Sequence, residues 1–374
     1  MLRAFLEGSS GYPQSKLSVR RLWLGPSLEA AAIVLAGAIK IFTPSAQWVE
    51  THYSNGAYPV IDRTVRAITG PLPFCLGDVL FAIAVVWLAR WWIVAFRRAS
   101  GPWWQTAGRV VLRTFAIACA IFSWFVLSWG YGYSRVPLAD KIPVHNERTD
   151  EDSVDRFADR VNDELSRDAD PAHEDKLDDA QVAERLVPTF EATIHRLGDR
   201  ATFPAPRIKP TLFQPMLQAS ATTGFTDPWT HEVNVDASLF FFERPAVYAH
   251  ERSHLSGFND ESEANFISVI ACTTSNEPLL KYSGWLLVWE NLPQDVHLTH
   301  RMEKPAYDDL MAIRARFERQ VNRQVEHASQ SACDSYLKSN HVKAGYASYQ
   351  LFIRWMTGAD FDPAGLPVVR PGVE

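Results

Sequence analysis

The sequence is poor in the features that build thiolate metal sites. It has four cysteines, Cys75, Cys119, Cys272 and Cys333, and none falls in a C-x-x-C pair, which argues against a thiolate zinc site. An excess of positive charge is missing too. The formal net charge is −6, so there is no basic footprint and nucleic-acid binding is not expected. Internal repeats and low-complexity tracts are also lacking. Cys75 and Cys119 lie in or beside apolar runs and read as small hydrophobes. Cys272 and Cys333 lie in the polar half, where two free thiols are expected unless that half meets an oxidising compartment.

What the chain does have is divided along its length. The first third carries long apolar runs, whereas residues 141–186 hold fifteen Asp and Glu against seven Lys and Arg, a pattern suited to a solvated helical surface. Thr114–Tyr133 runs twenty residues without a charge, enough to cross a bilayer, and ends in Trp129, Tyr131 and Tyr133, residues suited to the interfacial zone. Phe74–Phe96 is a second expected span, with Asp78 near one end and Arg90 able to snorkel at the other. Leu22–Thr43 is a third and weaker one, interrupted by Glu29 and Lys40. Arg20 and Arg21 ahead of it also allow a cleaved signal peptide.

Basic residues cluster before the first span (Arg3, Lys16, Arg20, Arg21) and between the second and third (Arg97, Arg98, Arg109). By the positive-inside rule these segments are cytoplasmic, which places the chain after about residue 135 outside the cytoplasm. The expected organisation is a membrane domain, residues 1–135, with spans at about 22–43, 74–96 and 114–133, and an extracytoplasmic domain, residues 136–374.

The polar half reads as mainly helical. Val154, Phe157, Val161 and Leu165 share one helical face, and Gln181–Gly198 repeats that spacing around a possible kink at Pro188. A loop is expected around Asp168–Ala180. Further helices are expected over Glu261–Thr274, Ala306–His327 and Tyr346–Met356. The stretch "HEVNVD" (His231–Asp236) alternates valine with polar residues and reads as a short strand, a candidate edge for an extended peptide.

The chemistry concentrates in "VYAHERSHLSGFNDESEANF" (Val247–Phe266). His250 and His254 are four apart, so on a helix both imidazoles leave one face and can converge on one zinc ion. Glu251 stands beside them as a general base able to take a proton from a water at the ion's open position. Pro245 suits the first turn of that helix, Gly257 can end it in a left-handed cap, and Asn259 or Asp260 can cap a second. Glu261 then falls in the first turn of the second helix, where the corner could fold it back onto the metal. Asn265, one turn further, could hold a ligating histidine by its free N–H. Asp260 stays open as the alternative third ligand, because the spacing also fits a class that places Asp there above a methionine turn. Met302, Met311 and Met356 lie in no obvious turn of that kind. Glu263 points about 200° away from Glu261. Arg252, one residue past the base, is placed to shift or pair with Glu251. For an oxyanion donor, His231, Tyr282 and Tyr307 are candidates, none of them assigned.

"HExxH" followed by "ExxAN" resembles the gluzincin metallopeptidases. The chain more closely resembles a bacterial membrane family catalogued as domain of unknown function 3810, through "VETHYSNGAYPVI" (Val49–Ile61), "TGPLPFCLGDVL" (Thr69–Leu80), "TGFTDPWTHEVNVD" (Thr223–Asp236), "HERSHLSGFNDESEANF", "YSGWL" (Tyr282–Leu286) and "YLKSNHVKAGYASY" (Tyr336–Tyr349). The likeness implies Zn²⁺ held by His250, His254 and Glu261, with Glu251 catalytic. The expectation is an α+β, mainly α chain: three N-terminal transmembrane helices and a zincin-like domain with a small sheet. It would be a zinc-dependent hydrolase anchored in the bacterial cytoplasmic membrane, with membrane lipid around its spans and a peptide or protein of the cell envelope as substrate. The competing expectation is a zinc-stabilised binding protein without chemistry.

Overall fold

The computed structural model describes residues 15–42, 44–300, 302–340, 342 and 351–373. The chain is mainly helical with one two-stranded antiparallel sheet, in keeping with the α+β, mainly α expectation. It forms two units: Met1–Thr43 with Val86–Val126, and Pro44–Val85 with Leu127–Glu374.

Among the described residues two helices, not the expected three, are long and apolar enough to cross a membrane: Leu76–Arg97 and Trp103–Ser128. The first expected span is helical, from Ser15 to Ile41, but Pro26 lies inside it and Glu29 and Lys40 dilute it. Its apolar part, Pro26–Ile41, reaches span length only if joined across a bend to Ala46–Thr69.

The second unit is helical because its helix starts are chemically marked. Asp150 caps Glu151–Glu174 through the Ser153 N–H, and Asp178 and Gln181 form a reciprocal capping box ahead of Asp179–Arg185. Pro188 sits in the first turn of a separate helix, Val187–Arg196, so the expected kink is a full break. The loop expected at Asp168–Ala180 begins late, because Glu151–Glu174 runs on through Pro171. Ala306–His327 is likewise two helices, Ala306–Gln320 and Arg323–Ser339. The last expected helix is seen as Phe352–Gly358, residues 346–350 lying outside those described. Cys75, Cys119 and Cys272 are free thiols and buried, Cys272 fully so.

At the centre lies Glu261–Thr273, in which every residue from Ser262 to Cys272 is buried. A helix covered on all sides belongs inside a core. It packs against Arg244–Leu255, Pro278–Glu290 and Val187–Arg196. Strands β1 (Gly224–Asp227) and β2 (Glu232–Val235) lie against Arg244–Leu255. "HEVNVD" is therefore a strand, but not the edge: β2 pairs with β1 on one side, and Ile208 and Lys209 meet Val233 on the other. The edge position falls to β1, whose Phe225 is exposed.

The segment before the first apolar helix also belongs to this unit. A wide-turned π-helix over Val49–Ala57 brings Glu50 inside, where its carboxylate accepts from Arg135 (2.9 and 3.1 Å) and from Lys141 Nζ (2.7 Å). Arg135 also donates to the Gly257 carbonyl at 3.3 Å and stacks its guanidinium 3.8 Å above the Phe258 ring. Burial alone would raise the Glu50 carboxyl, but the charges and hydrogen bonds of Arg135 and Lys141 outweigh it and hold it at about 2. Since this lies below the ordinary 4.5, the stabilisation is present above about pH 4.5 and is lost as pH falls through about 2. Arg135→Met is expected to cost about 3 kcal/mol or more, as when one member of a buried pair is removed, read by denaturant unfolding in detergent. Glu50→Gln is expected to flatten the acid loss of stability between pH 4.5 and 2.

Candidate metal centre

Pro245 opens Arg244–Leu255, and the carbonyls of Arg252, Ser253 and His254 are closed off by the turn that follows. Gly257 takes a left-handed φ of +82°, the conformation that glycine adopts without a Cβ penalty. Asp260 begins the next helix by accepting from the Ser262 and Glu263 N–H groups at 2.9 and 3.3 Å. Its carboxylate is thus engaged as an N-cap. The corner returns the first turn of Glu261–Thr273 to the histidines.

There His250 Nε2, His254 Nε2 and Glu261 Oε2 meet. The two imidazole nitrogens are 3.1 Å apart, and Glu261 Oε2 lies 3.1 Å from His250 and 3.4 Å from His254. Each residue offers one ligand atom, all within 4.8 Å of one another, so the group could hold a metal ion. The rings stand edge to face at 89°. His250 and Glu261 are part-exposed while Glu251 to Leu255 and Ser262 onwards are buried. The group therefore opens to solvent on the His250–Glu261 side.

The far nitrogens fix the tautomers. His254 Nδ1 is 2.9 Å from the Phe258 carbonyl oxygen, which can only accept, so Nδ1 carries hydrogen. His250 Nδ1 lies 2.7 Å from Asn265 Oδ1, the contact expected from the sequence. Both Nε2 lone pairs then face one another beside a carboxylate oxygen, an arrangement that repels unless a cation or a proton fills it. His254 reflects that demand: burial would lower it, but the Glu261 carboxylate outweighs burial and pushes it up to about 9. Glu261 moves the opposite way. Burial would raise it, yet His254 and His250 hold it well below the carboxylate range. With both imidazoles deprotonated at Nε2, two nitrogens and one carboxylate are a donor set of the kind that suits Zn²⁺.

Glu251 is buried beside this group and is raised, chiefly by burial, with His250, His254 and Thr226 opposing. Its Oε2 accepts from the Thr226 hydroxyl of β1 at 2.6 Å. A side chain at Gly224 would run into this carboxylate, so the glycine in β1 makes room for Glu251. Arg252 does not pair with Glu251. It is buried on the opposite side, 4.2 Å above the Phe190 ring, and donates to the Phe203 carbonyl at 3.0 Å.

None of the three oxyanion candidates lines the group. His231 is fully buried against Asp62 at 3.0 Å, Tyr282 donates to Asp309 at 2.6 Å, and Tyr307 is exposed on Ala306–Gln320. Sequence reasoning missed Trp129, Tyr133 and Tyr336. Trp129 is no interfacial anchor: it is buried with its ring 6.4 Å from His254, and its carbonyl accepts from Asn259 at 2.9 Å. Tyr133 donates to the Tyr336 hydroxyl at 3.1 Å. Burial raises both phenols, and the Glu261 carboxylate is near enough to raise them further. Tyr133 sits in a stretch that read as an interfacial aromatic cluster, and Tyr336 lies between the expected helices at the start of one family-like motif, so nothing in their spacing pointed to the centre.

A family model matches residues 53–357, and its description reads "Protein of unknown function (DUF3810)". No curated protein and no solved structure matches the chain. The match bears out the resemblance to domain of unknown function 3810 and adds no activity to it.

Asn265→Ala is expected to weaken metal binding about 10–100-fold by freeing the His250 ring. Competition with a chromogenic chelator checks this, and Asn265→Asp, which keeps the acceptor, is expected to retain binding.

Proposed function

We propose, for a chain that belongs to the DUF3810 family, that the polar unit is a membrane-anchored zinc-dependent hydrolase acting on peptide bonds. The observation that carries this reading is the convergence of His250, His254 and Glu261 with a buried carboxylic acid, Glu251, directly alongside. A binding site with a purely structural ion has no use for that acid.

His250, His254 and Glu261 would hold the ion, which when bound supplies Lewis-acid polarisation of water and of a substrate carbonyl. Glu251 takes a proton from the attacking water and returns it to the leaving amine. Thr226 keeps the Glu251 carboxylate aimed, and burial raises that carboxyl above its ordinary value, the direction that suits a base returning its proton to the leaving amine. Strand β1 supports peptide recognition: it pairs with β2 alone in the sheet, carries Thr226, and can take an extended chain along its outer edge. The Tyr133–Tyr336 pair supplies the hydroxyl that meets the developing oxyanion.

Sidedness follows from charge. Arg97 and Arg98 lie at the tip of the apolar hairpin and belong in the cytoplasm. Pro44–Val85 and Leu127–Glu374, which flank that hairpin and form one unit, are then extracytoplasmic. The rule needs no third span for this.

Elemental analysis of detergent-purified protein is expected to give about one zinc per chain, lost in His254→Ala, weakened in Glu261→Ala and kept in Asp260→Ala. Asp260→Ala costs only its cap, about 1 kcal/mol. Glu251→Gln is expected to keep zinc and abolish hydrolysis of a peptide library; retained zinc with retained hydrolysis overturns the mechanism. Tyr336→Phe is expected to lower kcat roughly 100-fold with KM little changed.

A further inference from the structure

The two apolar helices begin and end inside the polar unit, and exposed apolar side chains gather at both places. Asp78 Oδ2, in the opening turn of Leu76–Arg97, accepts from the Leu212 N–H at 2.6 Å. Phe81, one turn along, meets the Phe213 ring edge-on at a centroid distance of 5.6 Å. At the other place Ser128, the last residue of Trp103–Ser128, donates its hydroxyl to the Pro228 carbonyl at 3.5 Å. The turn joining β1 to β2 thus sits where the second apolar helix ends.

Both places are built rigidly. Asp227 Oδ1 accepts from the Trp229 and Thr230 N–H groups at 2.8 and 2.9 Å, and a side chain at Gly77 would run into Asp227 Oδ2. Glu232 accepts from the N–H groups of Leu76 and Gly77 at 3.0 and 2.9 Å and pairs with buried Lys209 at 2.6 Å. The hairpin turn is therefore pinned to the first turn of one apolar helix and the last residue of the other.

On this frame Leu212 is 72% exposed, Met216 58% and Trp229 43%. A lone exposed leucine carries no message in a soluble domain. These residues differ in position: Leu212 is bonded to the opening turn of one apolar helix, Phe213 packs on Phe81, itself 58% exposed, Met216 follows on the next short helix, and Trp229 follows Pro228 at the end of the other apolar helix.

We propose that Leu212, Phe213, Met216 and Trp229 form a docking surface seated in the lipid–water interface, so that the polar unit lies on the bilayer and is not merely tethered to it. The occupant is lipid, because the patch is continuous with residues of the apolar helices and ends in a tryptophan, the side chain favoured at that depth. The proposal does not rest on the metal reading. The two meet in β1, whose Thr226 holds Glu251 and whose next residue, Asp227, anchors the docked turn.

The test uses the full-length protein in the Cys333→Ser background, leaving the buried Cys75, Cys119 and Cys272. Met216→Cys, Trp229→Cys and, as a control exposed elsewhere on the unit, Val368→Cys are nitroxide-labelled. Each is reconstituted into phosphatidylcholine–phosphatidylglycerol liposomes. Collision rates with lipid-soluble oxygen and a water-soluble nickel chelate are compared. The expected result is an oxygen-to-nickel ratio several-fold higher at 216 and 229 than at 368. Ratios equal to the control would place the surface in water and overturn the proposal. Exclusion of both reagents would mean a protein contact, such as a second copy, and would overturn it equally. Met216 stands in a loop-flanked short helix, so its label reads the outcome even if Trp229→Cys disturbs the turn.

Discussion

The corner at Gly257 decides whether this protein has a metal centre, and one buried guanidinium holds that corner. His250 and His254 leave one helix and Glu261 the next, so they meet only if the chain reverses sharply between them. The reversal needs a left-handed residue at 257, and a side chain there would also come within 3.3 Å of the Tyr58 ring. Arg135 grips the Gly257 carbonyl and covers Phe258, while Glu50 and Lys141 complete the buried charge balance. Removing charges from water is expensive, and the cost is met here by multiple hydrogen bonds within one cluster. Three distant parts of the chain thereby agree on a single turn.

With the corner fixed, the electrostatics of the centre follow. Two imidazoles are oriented by acceptors on their outer nitrogens, and a carboxylate closes the third side. Such a pocket favours positive charge beside the Glu261 carboxylate. Glu251 lies beside the His250–His254–Glu261 group, buried and held by a strand hydroxyl. Arg252 shows how adjacency in sequence misleads: on a helix, neighbouring residues point about 100° apart, and the cation serves the core behind the site.

The polar unit is drawn from both sides of the apolar hairpin. Glu50 and Asp62 come from the stretch before it and Gly77 and Asp78 from its first turn, yet they brace Arg135, His231, the β1–β2 turn and Leu212. A segment that reads as a connection between spans is in fact part of the domain's interior. That placement ties the membrane helices to the sheet that carries Thr226.

The His250–His254 part of the candidate metal group and the helix that bears it were legible from spacing alone, because i and i+4 positions share a helical face whatever surrounds them. So were the glycine corner, the Asn265 contact and the two strongest apolar spans, all set by local rules. The strand over Glu232–Val235 was legible, but not its place inside the sheet, since pairing partners are remote. Asp260 and Glu261 could not be told apart from sequence, because either carboxylate can cap a helix, and only the backbone path makes Asp260 the cap and brings Glu261 against the histidines. The roles of Trp129, Tyr133, Tyr336 and Glu50 depended on contacts with residues some 80 to more than 200 positions away. Contacts of that range arise from packing, which no short-range pattern encodes.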